Sequence, residues 1–232
     1  MPGAAASWET PLRPWRPRGS SVQQPDPLDQ SRWSGLWHRL GARGDGLSVF
    51  RALGAAYADP VRAYHTAEHI RDCLVQFDLS RHTAQRPDEV EAAIWFHDAV
   101  YLPGSSDNED RSARLAQTAL RDAGAPKEAA HRIAGLVLAT KHLAIPSERD
   151  AALLCDIDLS ILGRTPEVLE EFERRIRREY AWVPEDVYRG ARAEILEGFL
   201  RRGVIYQTDL FRQRYEIPAR ANLQRVIAQL SG

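Results

Sequence analysis

From Ser31 to the end of the chain, apolar side chains return in almost every segment at the i, i+3, i+4, i+7 spacing of an amphipathic helix. Trp33, Leu36, Trp37 and Leu40 make the first stripe, and Phe50, Leu53, Gly54 and Tyr57 the second, which ends before Pro60. Ile70, Cys73, Leu74 and Phe77 form the third. The fourth, Val90, Ala93, Ile94 and His97, runs toward the Pro103-Gly104 break, after which Asp107 offers an N-cap for a helix to about Asp122. Pro126 suits the first turn of a further helix, lined by Ile133, Leu136, Val137 and Thr140 and stopped by Pro146. Leu154, Ile157, Asp158 and Ile161 follow and halt at Gly163. Thr165-Pro166-Glu167 then opens a charged helix that turns Leu169, Phe172, Ile176 and Tyr180 inward. Pro184 starts another, with Tyr188, Ala191, Ile195 and Phe199 on its apolar face, and a last one carries Leu223, Val226, Ile227 and Leu230. No run alternates with the two-residue period of a half-buried strand, Gly-rich hairpin dipeptides are absent, and no segment repeats at a fixed interval. The expected fold is all-α, a compact bundle of roughly eight to ten short helices.

The chain has 232 residues, enough for one helical domain over residues 31–232. Residues 1–30, rich in Pro, Ser, Arg and Gln, offer too little apolar surface to offset their ordering entropy and are expected to form a disordered tail. A net charge of -1, from 31 basic and 32 acidic residues, supplies no global field for nucleic acid or an anionic membrane. Phosphate recognition must therefore be local. Lys127 and Lys141 are the only lysines, and the surplus of Arg reads as compositional bias. Cys73 and Cys155 stand far apart with no Cys-x-x-Cys spacing, which fits a reducing compartment. Apolar runs fall short of the ~18 residues of a membrane span, and the first residues lack the pattern of a secretory signal. A cytoplasmic location is expected, with no membrane partner and no nucleic-acid groove, while a homodimer is compatible with the sequence.

His97 and Asp158 break the apolar rule in the same way, each taking a core-facing place on a hydrophobic helix. A buried carboxylate costs several kcal/mol unless it is paired, hydrogen-bonded or bound to a metal. Taken singly, Asp158 could pair with an Arg and His97 could be a hydrogen-bonded core histidine. Tyr64-His65-Thr66-Ala67-Glu68-His69-Ile70 alters that balance, because residues four apart on a helix share a face and could aim His65 and His69 together. Asp98 beside His97 adds an oxygen donor. Four candidate ligands, His69, His97, Asp98 and Asp158, then converge from three helices.

In that order they resemble the H, HD, D signature of the HD superfamily of metal-dependent phosphohydrolases. The resemblance extends to Arg62-Ala63-Tyr64-His65, Ala93 through Tyr101, Asp107-Asn108-Glu109, Thr140-Lys141-His142 and Asp156 through Gly163, and covers roughly residue 32 to the C-terminus. It is similar to a branch of predicted hydrolases of about this length. The resemblance implies one or two ions of Mn, Co, Ni, Fe or Zn held by the four ligands, with Asp98 able to bridge two, and hydrolysis of a small, nucleotide-like phosphoester by metal-activated water. His65 resembles the first histidine of the Tyr-His-Asn-x-x-His pattern of cyclic nucleotide phosphodiesterases, which protonates the leaving oxygen; here Thr66 replaces the Asn. His65 and Asp98 are thus the expected catalytic residues.

Lys141 and His142 are candidate phosphate or second-metal contacts, although a helix C-terminus alone favours cations there. Glu109 is a candidate for orienting water or substrate, although Asp107-Asn108-Glu109-Asp110 also reads as helix capping. Asp156 cannot share the face of Asp158 and is expected either to support the ligands from behind or to be structural. The Arg174-Arg175 and Arg177-Arg178 run, interleaved with Glu170, Glu171, Glu173 and Glu179, reads as a solvated face. Two other classes compete: a di-iron oxygenase, which needs a further histidine such as His142, His131 or His82, and a non-catalytic nucleotide-binding module, which would be expected to lose a ligand.

Overall fold

A computed structural model of the chain describes Asp26 and residues 28–232. The expected tail lies outside the described residues except for its last positions, where Asp26 pairs with Arg71 and Leu28 packs on the core. Among the described residues there are ten α-helices and no strand. They are α1 (Gln30–Arg39), α2 (Leu47–Tyr57), α3 (Ala67–Ser80), α4 (Pro87–Phe96), α5 (Asn108–Asp122), α6 (Lys127–Ala139), α7 (Arg149–Asp158), α8 (Pro166–Glu179), α9 (Glu185–Leu200) and α10 (Asp209–Ser231). Two 3-10 turns, Arg81–Thr83 and Leu159–Gly163, continue α3 and α7. Among the described residues no helix is long and apolar enough to cross a membrane.

The bundle is built around α4, whose residues from Glu89 to Phe96 are all buried. Its apolar side meets Trp33 of α1, with Trp95 and Phe96 set edge-on to that indole at 5.3 and 5.9 Å. Its acidic side is met by arginines. Arg32 and Arg81 clasp Glu91, and Arg132 of α6 makes a two-point contact with Glu89 at 2.6 and 2.8 Å. Part of the arginine surplus therefore ties α1, the turn after α3, and α6 to the central helix. α5 and α6 pair with each other, and α10 packs on α9 and on the turn that follows α7. Gly163 permits that last approach, since a Cβ there would lie 2.6 Å from the Cβ of Tyr215.

Several local expectations shift. Pro126 is the N-cap of α6 rather than a residue of its first turn, and α6 ends at Ala139 without help from Pro146. Asp107 holds the N-cap position of α5 but caps nothing with its side chain, which accepts from Ser105 instead. α10 begins well before its expected stripe and passes through Pro218. The apolar face of α9 is the largest departure, because Ala191 and Ile195 are exposed and line a cleft instead of meeting another helix.

Candidate metal centre

The four ligand candidates all sit at helix ends. His69 is in the first turn of α3, which starts at Ala67 because the Thr66 hydroxyl accepts from the Glu68 N–H. His97 is the C-cap of α4, Asp98 follows it in the turn, and Asp158 closes α7. The packed bundle brings them together. His69 Nε2 and His97 Nε2 lie 3.1 Å apart. Asp98 Oδ2 lies 3.1 Å from His97 Nε2 and 3.5 Å from His69 Nε2. Asp158 Oδ1 lies 3.1 Å from His69 Nε2 and 3.7 Å from His97 Nε2. Both imidazoles are buried, at 4% and 2% exposure.

His97 Nδ1 lies 2.9 Å from the Ile94 carbonyl, which can only accept. Its proton is therefore on Nδ1, and in the neutral ring the Nε2 lone pair faces the cluster. The electrostatics add a demand for positive charge at that Nε2. Burial pulls the His97 pKa down, but the Asp98 and Asp158 carboxylates outweigh it and hold the imidazole well above its usual range. Burial likewise opposes ionisation of Asp98 and Asp158, yet the surrounding histidines hold both carboxyls below the usual carboxylate range. The cluster draws in positive charge, whether a proton or a cation.

Cys73 belongs to this cluster and was not expected there. One donor atom from each of His69, Cys73, His97 and Asp158 can be chosen so that all lie within 4.8 Å of one another, so a buried group able to hold a metal ion is present. Cys73 Sγ is 3.7 Å from His69 Nε2. The i, i+4 spacing from His69 to Cys73 was available in the sequence, but the apolar stripe explained the residue first. Burial and the neighbouring Asp158 and Asp98 push its thiol pKa well above the usual value, so it is protonated as it stands.

His65 lies outside α3, so it does not share a helix face with His69. It reaches the site by another route, through Glu179. That carboxylate, 3% exposed at the end of α8, accepts the backbone N–H groups of Ala63, Tyr64 and His65 at 2.8, 2.7 and 3.0 Å. It also accepts from His65 Nδ1 at 2.7 Å and from the Tyr101 hydroxyl at 2.8 Å. Burial opposes its ionisation, but these donors and the His65 charge bring its pKa down to about 2. Glu179 is thus no part of the solvated Arg/Glu face assigned to it. The His65 ring stacks on Tyr101 at 4.1 Å, and its Nε2 makes no hydrogen bond among the described residues. Burial lowers the His65 pKa, but Asp98 and Glu179 outweigh it and leave it raised. Arg62 locks this loop to the ligand turn by donating to the carbonyls of His65, Asp98 and Ala99 at 3.0, 2.6 and 3.1 Å.

A cleft of about 530 Å³ opens over the cluster, with His65, Asp98, Asp158, Glu109, Lys141 and His142 along its polar part. His142 Nε2 lies 2.8 Å from Asp158 Oδ2, and its backbone takes the left-handed conformation at φ 55°, rare for a non-glycine residue. Arg202 donates to its carbonyl and holds it there. Lys141 reaches the same cleft but is paired with Asp110 at 2.6 Å. Glu109 lines the cleft from the first turn of α5. Asp156 is fully buried and accepts from the Gln207 and Thr208 backbone and the Thr208 hydroxyl, which fastens the start of α10. Its structural role stands. His82 and His131 are exposed and do not line the cleft. Compared with protein-family models, curated proteins and solved structures, the chain finds no match in any of the three.

Proposed function

We propose that this protein is a metal-dependent phosphohydrolase of the HD type, with His69, His97, Asp98 and Asp158 as its ligands and a small, nucleotide-like phosphoester as its substrate. The observation that carries this reading is the meeting of an imidazole with its Nε2 turned inward, a second imidazole and two ionised carboxylates at the end of an open cleft. The separations suit an ion. Bonds of roughly 2.0–2.2 Å at right angles set neighbouring ligand atoms about 3 Å apart, close to the spacings within this cluster. Asp98 outranks Cys73 as the fourth ligand because it is already ionised, lies 3.1 Å from His97 Nε2 and, at 3.5 Å, is nearer His69 Nε2 than the thiol at 3.7 Å.

When bound, a Mn, Co, Ni, Fe or Zn ion would supply Lewis acidity toward a phosphoryl oxygen and acidify water. The chain's own residues supply the rest. Glu179 keeps the His65 proton on Nδ1 and favours the imidazolium, so Nε2–H can be offered to the cleft. In hydrolysis a water oxygen bonds to phosphorus and releases one proton to solvent, the bond from phosphorus to the leaving oxygen breaks, and His65 gives that oxygen its Nε2 proton and regains one from solvent. Lys141, anchored by Asp110, is positioned to donate to a phosphoryl oxygen, and Glu109 to accept from water or substrate. The test is turnover of a phosphoester and nucleotide panel with each metal, run beside Asp98→Ala. At least one ester should be hydrolysed, and Asp98→Ala should lower its turnover more than about a thousand-fold. Unchanged turnover in the variant removes the proposed site, and no turnover with any metal removes the hydrolase reading.

His142 supports one second reading. As a fifth donor against Asp158 it suits a second ion, and so an oxygenase with two irons. Two irons per chain and oxygen consumption without phosphate release would favour that chemistry.

A further inference from the structure

We propose that the cleft selects esters with a single phosphoryl group on a planar or apolar alcohol, and turns away polyphosphates; the inference rests on the hydrolase reading above. Two independent features of the cleft lead there. The first is its apolar wall. Phe172 and Ile176 of α8, Trp182 in the turn between helices, and Tyr188, Ile195 and Phe199 of α9 all line it. Phe172, Ile176 and Tyr188 are buried at its base, while Ile195 and Trp182, 53% and 69% exposed, show water apolar surface at its rim. An apolar face beside a polar floor matches a ligand with a ring or alkyl body and one polar end.

The second feature is charge. Among the described residues lining the cleft, Lys141 and Arg192 are the only lysine and arginine. Each is already neutralised, Lys141 by Asp110 at 2.6 Å and Arg192 by Glu173 through two bonds of 2.6 and 2.9 Å. Against them stand the carboxylates of Glu109, Asp98 and Asp158. A divalent ion would only balance the last two, so a phosphoryl group is left the Nε2–H of His65 and the Nζ–H groups of Lys141, enough donors for one. The further charges of a diphosphate or triphosphate would meet no other lysine or arginine than Arg192, which Glu173 already holds, and an added Glu109.

The test uses the full chain loaded with Mn²⁺ and three probes: 1-naphthyl phosphate, glycerol 2-phosphate and ATP. The kcat/KM for 1-naphthyl phosphate should exceed that for glycerol 2-phosphate about thirty-fold, the effect of taking roughly 80 Å² of ring surface out of water, and should also exceed that for ATP, whose extra phosphates meet the cleft's carboxylates. Phe199→Ala should shrink the naphthyl-to-glycerol ratio to under about five, and Ile195→Asp, at a solvent-facing position, should shrink it likewise. Equal use of glycerol 2-phosphate, or equal or better use of ATP, overturns the proposal while leaving the hydrolase reading intact. If no ester is hydrolysed, the hydrolase reading falls, and selectivity is read by calorimetry with 1-naphthylmethylphosphonate against methylphosphonate. Equal affinity for those two overturns the proposal in that case.

Discussion

Helices α4 and α9 carry apolar residues at the same period and meet opposite fates. α4 is enclosed on every side, its acids are clasped by Arg32, Arg81 and Arg132, and it ends at His97 with no freedom left to the ring. α9 turns Tyr188, Ile195 and Phe199 toward an open cleft. Periodicity tells which face of a helix is apolar, and only the packing tells what covers it. The enclosed helix fixes donor atoms to within the tolerance that metal binding needs, whereas the open one is free to receive a substrate.

Stability should divide the two helices most sharply. Ile94→Ala removes a fully buried side chain from α4 and should cost about 3 kcal/mol in denaturant unfolding. Ile195→Ala on α9 should cost less than about 1 kcal/mol. Similar losses at both positions would mean that α9 is packed as tightly as α4. At the junction between the regions, Glu179→Gln keeps the size of the side chain but withdraws the charge that positions His65. It should lower kcat about a hundred-fold, with the metal content retained. A variant that lost its metal instead would place Glu179 in the support of the ligands.

A smaller effect follows from acid. The folded Glu179 pKa of about 2 lies below its ordinary 4.5, so its stabilisation is complete above pH 4.5 and is withdrawn as pH falls toward 2. The amount is on the order of 3 kcal/mol. Buried Asp156 has the opposite sign, because burial raises its pKa to about 6 in spite of its hydrogen bonds, and its contribution fades as pH rises through that value. Glu179→Gln should therefore flatten the acid limb of the stability profile, and Asp156→Asn should remove a loss of stability between about pH 4 and 6.

Much of this difference was legible in the residues and some was not. The stripes led to the helices because burial acts on each segment separately, and the polar interruptions at His97 and Asp158 marked the cluster because a core tolerates such groups only with partners. Glu179 was hidden. In the sequence it is one acid among the alternating charges of α8, and only the arrival of residues 63–65 from far along the chain makes it an acceptor of three backbone N–H groups. His65 came near the cluster for a reason other than helical spacing, since the Thr66 cap moves it off α3. The openness of α9 also has no local signature, because an apolar face against a cleft and one against a helix read alike.

The cluster of His69, His97, Asp98 and Asp158 as a metal centre is tested most directly by titrating the purified chain with Co²⁺, following visible absorption, beside His97→Ala. The intact chain should saturate at one or two ions with ligand-field bands, and the variant should lose them while keeping its helical circular dichroism. An intact chain that takes up no Co²⁺, or a His97→Ala chain that binds it unchanged, would contradict the assignment.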